Sequence, residues 1–122
     1  MIVPAYDDAA GVTAEFNRNV LHVLNRELGA DFDVEAFAHL AVWDAEQEWL
    51  EMRLRAEREM RVRVAELDLD VHFAAGEQMR TEISAKFRGR NIDSMVAAAG
   101  FEPTRRWTDP EQGFALSLVT AV

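Results

Sequence analysis

The chain has 122 residues, one domain's worth of sequence and enough to bury a genuine core. Twenty-two acidic against thirteen basic side chains give a formal charge of −9, which repels phosphate backbones and anionic lipid, so neither nucleic acid nor a membrane surface is an expected partner. The absence of cysteine excludes disulfides, thiolate metal ligands and cysteine nucleophiles; with no apolar run near the length of a membrane span and no signal-like start, a cytoplasmic location is expected.

Val12, Phe16, Val20, Val23, Leu24 and Leu28 recur at helical spacing and predict a helix from about Thr13 to Leu28 with that apolar stripe turned inward. Gly29 stops it, as glycine commonly does just past a helix end. Asp33 is placed to cap a shorter helix carrying Val34, Phe37 and Leu40. The pattern then changes. Leu50, Met52, Leu54 and Ala56 alternate with Glu51, Arg53, Arg55 and Glu57, and Val62 and Val64 alternate with Arg61 and Arg63, which predicts half-buried antiparallel strands. Apolar residues hold even positions through Val64 and odd positions from Leu67 through Leu69, Val71 and Phe73. Because the strand period is two, an unbroken strand would bury one set and expose the other, so a bulge or turn is expected near Ala65-Glu66, with all six of these apolar residues from Val62 to Phe73 inward and Asp68 and Asp70 outward. The basic stretch (Arg53, Arg55, Arg61, Arg63) then faces an acidic one (Glu66, Asp68, Asp70), and cross-strand pairing helps set register.

From Met79 to Phe87, Thr81, Ile83, Ala85 and Phe87 turn one way while Glu82, Ser84 and Lys86 turn the other. A carboxylate and a hydroxyl thus stand about 6.5 to 7 Å apart at their roots on one strand face. That spacing suits a small flat ligand such as an imidazole, but taken alone the pair reads first as a solvated strand face, since Glu and Ser are mostly exposed residues. A short helix from Asn91 to Ala99 closed by Gly100, a strand from Phe101 to Trp107, a turn over Thr108–Gly113 and a strand from Phe114 to Val119 complete the chain.

Other constellations carry less. Asp68, Asp70 and His72 lie in one row without a second cluster, so no metal is assigned. Asp31-Phe32-Asp33 starts like a calcium loop but has no glycine at the sixth position and reads as a cap. His22 and His39 have no partners arranged as a triad and read as partly exposed helix residues; Trp43, Trp49 and Trp107 read as packing residues. No Gly-x-Gly-x-x-Gly run exists to cradle a dinucleotide or S-adenosylmethionine.

Four segments, Tyr6–Asn19 (Tyr6-Asp7-Asp8-Ala9-Ala10-Gly11-Val12-Thr13 and onward), Phe73-Ala74-Ala75-Gly76-Glu77, Thr81–Phe87 and Trp107-Thr108-Asp109-Pro110, together resemble the C-terminal portion of the S-adenosylmethionine-dependent L-histidine Nα-methyltransferases of ergothioneine biosynthesis. The resemblance runs through nearly the whole chain in order; the opening at Met1 would already lie past a family member's nucleotide-binding half. It implies an α+β fold in which N-terminal helices pack on an antiparallel sheet, followed by the terminal helix and β-hairpin of an incomplete class I methyltransferase sheet. It further implies a histidine-recognition domain over residues 1–85 and a C-terminal segment of the methyltransferase domain over 86–122. By the same resemblance Tyr6 would bond the α-carboxylate of bound L-histidine, Glu82 and Ser84 would hold its imidazole, and Met52 would line the pocket. The methyl donor would be S-adenosyl-L-methionine in the complete enzyme, with none expected on this chain alone, no catalytic residue assigned here, and the missing N-terminal methyltransferase portion as partner. A non-catalytic stand-alone small-ligand-binding or protein-interaction module of the same fold, or an engineered truncation, fits the residues as an alternative.

Overall fold

In the computed structural model, which describes residues 2–122, the chain divides into two compact units, Met1–Ala85 and Lys86–Val122. The first is built from a helix α1 (Val12–Leu28) and five strands, β1 (Phe37–Asp44), β2 (Trp49–Ala56), β3 (Met60–Val64), β4 (Leu69–Phe73) and β5 (Gln78–Ala85). β1, β2 and β5 form an antiparallel sheet in that order, and β3 and β4 form a hairpin. The second unit holds α2 (Gly89–Ala98) and an antiparallel hairpin of β6 (Phe101–Thr108) and β7 (Ala115–Ala121). The class is α+β, with α1 and three 3-10 turns among the described residues of the first unit in place of several helices on its sheet.

Helix α1 starts one residue earlier than the apolar spacing predicts. Gly11 sits at φ 75, and the Asp8 carboxylate accepts from the amides of Val12 (3.0 Å) and Thr13 (2.9 Å), satisfying two of the orphan donors of the first turn. At the other end Gly29 adopts φ 58 and its amide closes on the Leu24 carbonyl. The inward line of α1 is the expected stripe only in part: Leu24 packs against the core. Leu21 is fully buried and Asn17 nearly so, while Val12 (68% exposed), Phe16 (65%) and Val20 (41%) lie outside the core. The two stripes are one helical step apart, and a polar residue at position 17 hides the inward one from a count of apolar spacing.

The second helix predicted at Asp33 is a single 3-10 turn, Val34–Ala36, running directly into β1. Its cap carries no side-chain bond: Asp33 pairs with Arg58 at 2.7 Å and Asp31 accepts the amide of Arg63 at 2.7 Å. Phe37 and Leu40 belong to a strand whose two faces both carry apolar residues, so the alternation that marks a half-buried strand is lost. Phe37, Phe32 and Phe73 instead meet edge-on and tilted, with ring centroids 5.3 to 6.2 Å apart, in the centre of the core with Leu21, Leu54 and Val62.

The parity switch does mark a break. A 3-10 turn over Ala65–Leu67, followed by Asp68 at φ 50, joins β3 to β4 and re-registers the hairpin so that Val62 opposes Val71 and Val64 opposes Leu69. Met60, Val62, Val64 and Phe73 are buried, but Leu67 (58% exposed) and Leu69 (45%) are not, because they sit at the hairpin's turn end, away from the phenylalanine cluster. Arg63 pairs with both Asp68 and Asp70, the cross-strand pairing the charge pattern suggests. The tryptophans are not core residues: Trp43 and Trp107 are exposed, and half-buried Trp49 stacks under Arg80 with 5.8 Å to the ring centroid.

Candidate functional site

Residues directly opposite one another in an antiparallel pair share a face. Across β1 and β2 the pairs Phe37–Ala56, His39–Leu54 and Ala41–Met52 therefore define one face, the one that meets Asn17 and Leu21 of α1. The β2–β5 ladder slips between Met52 and Arg53: Met52 opposes Glu82, Arg53 opposes Arg80, and Thr81 is the extra residue. This bulge decides which way the site faces. Before it, the odd residue Met79 packs inward opposite Leu54; after it, the even residues Glu82 and Ser84 take the same face opposite Met52 and Leu50. Thr81 does not turn away as strict alternation predicts, for its hydroxyl reaches the Met52 carbonyl (3.0 Å) and Asn17 Oδ1 (2.5 Å).

The bulge, the start of α1 and the segment before it border an open cavity of about 300 Å³ lined by Ala5, Tyr6, Val12, Thr13, Phe16, Met52 and Glu82. Its volume lies at the lower end of the range for small-molecule sites, about 300 to 1,000 Å³. Met52, 3% exposed, forms its floor, and Val12 and Phe16 form an apolar wall. Glu82 is the one ionisable carboxylate of the lining. Ser84, one strand period on, is hydrogen-bonded to the Tyr6 hydroxyl at 2.8 Å. The four residues singled out in the sequence, Tyr6, Met52, Glu82 and Ser84, thus converge from three separate parts of the chain. Thr13 and Phe16 were not singled out, although both lie within the Tyr6–Asn19 stretch.

Two polar clusters brace this wall. On the face of β2 away from α1, buried Glu51 accepts from Trp49 Nε1 (3.0 Å), Arg53 Nε (2.7 Å) and Arg80 (3.1 Å), tying β2 to β5 across the bulge. The hydrogen bond from Arg53 is the first cause holding its carboxyl below the usual range. On the inner face His39, Asn17 and Thr81 form a second cluster; His39 is partly exposed, as expected, but it stands on a strand rather than on a helix.

Among the described residues no group of three or more histidines and carboxylates is arranged to hold a metal, and no helix is long and apolar enough to cross a membrane. Asp68 and Asp70 are engaged by Arg63, and His72 by Glu59 at 2.8 Å. Among the described residues the one α-helix that follows a strand, α2 after β5, starts with a single glycine, Gly89, beside the Arg106 guanidinium.

A family model described as histidine-specific, S-adenosylmethionine-dependent methyltransferase matches residues 1–121. A histidine N-alpha-methyltransferase of Mycolicibacterium smegmatis is 60% identical over 117 residues, and one of Mycobacterium tuberculosis is 57% identical over 117. Each match takes in 96% of this chain, and the chain spans 36% of the length of either relative.

Proposed function

The chain belongs to the histidine-specific, S-adenosylmethionine-dependent methyltransferase family, and from that premise we propose that it is the substrate-recognition part of an enzyme that methylates the α-amine of L-histidine. The observation that carries this reading is the convergence of Tyr6, Met52 and Glu82 on one cavity, with Ser84 bonded to Tyr6 at its edge. Glu82 accepts a ring N–H of the imidazole, and Ser84 accepts from or donates to the other ring nitrogen. The 2.8 Å Tyr6–Ser84 bond adds a consequence of its own. With Ser84 donating to Tyr6, and therefore only accepting from the ring nitrogen, the phenol can in turn donate to the substrate's α-carboxylate, so one run of hydroxyls links the two ends of histidine. Met52, Val12 and Phe16 hold the apolar flank.

In this reading the chain's contribution is alignment. Methyl transfer to a neutral amine needs no covalent enzyme intermediate, and fixing the imidazole and carboxylate fixes where the amine points. Selectivity follows from polar readout, since an amino acid lacking the ring nitrogens leaves Glu82 and Ser84 unpaired. The methyl donor, S-adenosylmethionine, is held by parts of the enzyme outside this chain. The β6–β7 hairpin, with Trp107, Phe114, Leu116 and Leu118 exposed, supplies the end of the class I methyltransferase sheet in the complete enzyme. Calorimetric titration of the complete enzyme with histidine, phenylalanine and histamine tests the reading. Binding of histidine over both analogues supports it; equal binding of histidine and phenylalanine points instead to a module for another ligand.

A further inference from the structure

We propose that His39 is a positioning residue for the substrate site, acting by holding Tyr6, an inference that rests on the histidine-binding reading above. His39 Nε2 lies 2.7 Å from the backbone carbonyl of Tyr6, and its Nδ1 lies 2.9 Å from Asn17 Nδ2. Asn17, 3% exposed, also directs Nδ2 at the Arg53 carbonyl, 3.1 Å away, and Oδ1 at Thr81. Two backbone carbonyls bound this chain of contacts, and a carbonyl can only accept. The Arg53 carbonyl therefore pins the Asn17 amide with its NH2 toward His39, so His39 Nδ1 must accept. The Tyr6 carbonyl requires Nε2 to donate. Both conditions select one form, the neutral imidazole protonated at Nε2.

The outcome is mechanical. Tyr6 precedes α1 in a segment whose own 3-10 turn ends at Ala5, with Tyr6 itself as the cap. His39 anchors that segment to β1, Asn17 joins the anchor to α1, and Thr81 joins it to the bulge that aims Glu82. The imidazole thus sets the height of the Tyr6 ring over Ser84 without reaching the substrate.

The test is steady-state kinetics of the complete enzyme with Tyr6→Phe, His39→Leu, the double variant and His39→Gln, alongside imidazole nitrogen NMR of His39 in the 122-residue chain. We expect His39→Leu to raise KM for histidine about ten-fold, the scale of one lost hydrogen bond, with KM for the methyl donor unchanged. The double variant should be no worse than Tyr6→Phe, since the effect runs through that side chain, and His39→Gln, whose amide can reach the Tyr6 carbonyl, should recover most of the loss. Equal shifts in both Michaelis constants, or single-variant effects that multiply in the double variant, overturn the proposal. If Tyr6→Phe leaves KM for histidine unchanged, the histidine-site reading fails; NMR then still decides the anchor, because a ring protonated at Nδ1 overturns it and one protonated only at Nε2 sustains it.

Discussion

Glu82 and Asp8 illustrate how two carboxylates in one unit come to do different work. Glu82 is exposed at the cavity edge with Met52 opposite it on β2, and in the proposed site it is the group that accepts from the imidazole. In the complete enzyme Glu82→Ala should raise KM for histidine about ten- to a hundred-fold and relax discrimination against phenylalanine and tryptophan, and Ser84→Ala should do the same more weakly. Unchanged selectivity ratios among the three amino acids would refute the assignment of β5 as the imidazole reader. Asp8 is turned toward the start of α1 instead. The backbone amide of Thr13, then its side chain, then the amide of Val12 hold its carboxyl well below the usual range, at about 2. A depressed folded-state value means that the ionised form is favoured by folding, so its stabilisation is present above the ordinary carboxylate value of about 3.9 and is lost as pH falls toward about 2. Asp8→Ala should lower the urea midpoint at neutral pH and approach the wild-type midpoint near pH 2. A gap that stays constant with pH would show that the carboxylate is not what caps the helix. Because Val12 and Thr13 also line the cavity, fraying there loosens the site as well as the fold.

The bulge at Thr81 is the feature of a single element on which the site depends. It lets one strand bury Met79 against the core and yet present Glu82 and Ser84 on the same side, which strict alternation forbids for residues of opposite parity. Deleting Thr81 should make the ladder regular, since Arg80 then opposes Arg53 and Glu82 opposes Met52 with no unpaired residue between them, so Met79 and Glu82 keep the inner face. What is lost is the Thr81 hydroxyl that satisfies buried Asn17, a cost on the order of 1 to 3 kcal/mol. A deletion variant that keeps the wild-type denaturation midpoint, or one in which histidine binding is abolished, would contradict this account. The parity switch between Val64 and Leu67 was legible in the sequence because it separates two long alternating runs. The one at Thr81 was not, since only Met79 and Ile83 flank it and an Ile on the far face mimics unbroken alternation.

At the level of the whole molecule, neither unit has, among the described residues, a glycine-rich turn between a strand and a helix. The prediction is that the isolated chain binds no S-adenosylmethionine and transfers no methyl groups, because its glycines lie singly and form no glycine-rich turn at a strand end. Saturable micromolar binding measured by calorimetry on the chain alone would contradict it. Adding the remainder of the enzyme in a second chain should restore both binding and turnover.

Composition and local pattern alone determined the α+β class, the extent of α1, the strand character of β2 to β5, the turn at Ala65–Leu67 and the order α2, β6, β7, because each rests on periodicity within a dozen residues. The resemblance in sequence singled out Tyr6, Met52, Glu82 and Ser84. Tertiary structure decided the rest. It made β1 a strand where spacing suggested a helix, since a sheet can bury both faces of an element that local pattern reads as one-sided. It turned Asn17 inward and left Val12 and Phe16 at the cavity, because a polar residue is buried when distant partners satisfy it, and those partners, His39, Arg53 and Thr81, lie 22 to 64 positions away. Contacts at such separations leave no local period to read, and they are the contacts that hold Tyr6 and Glu82 on the same cavity.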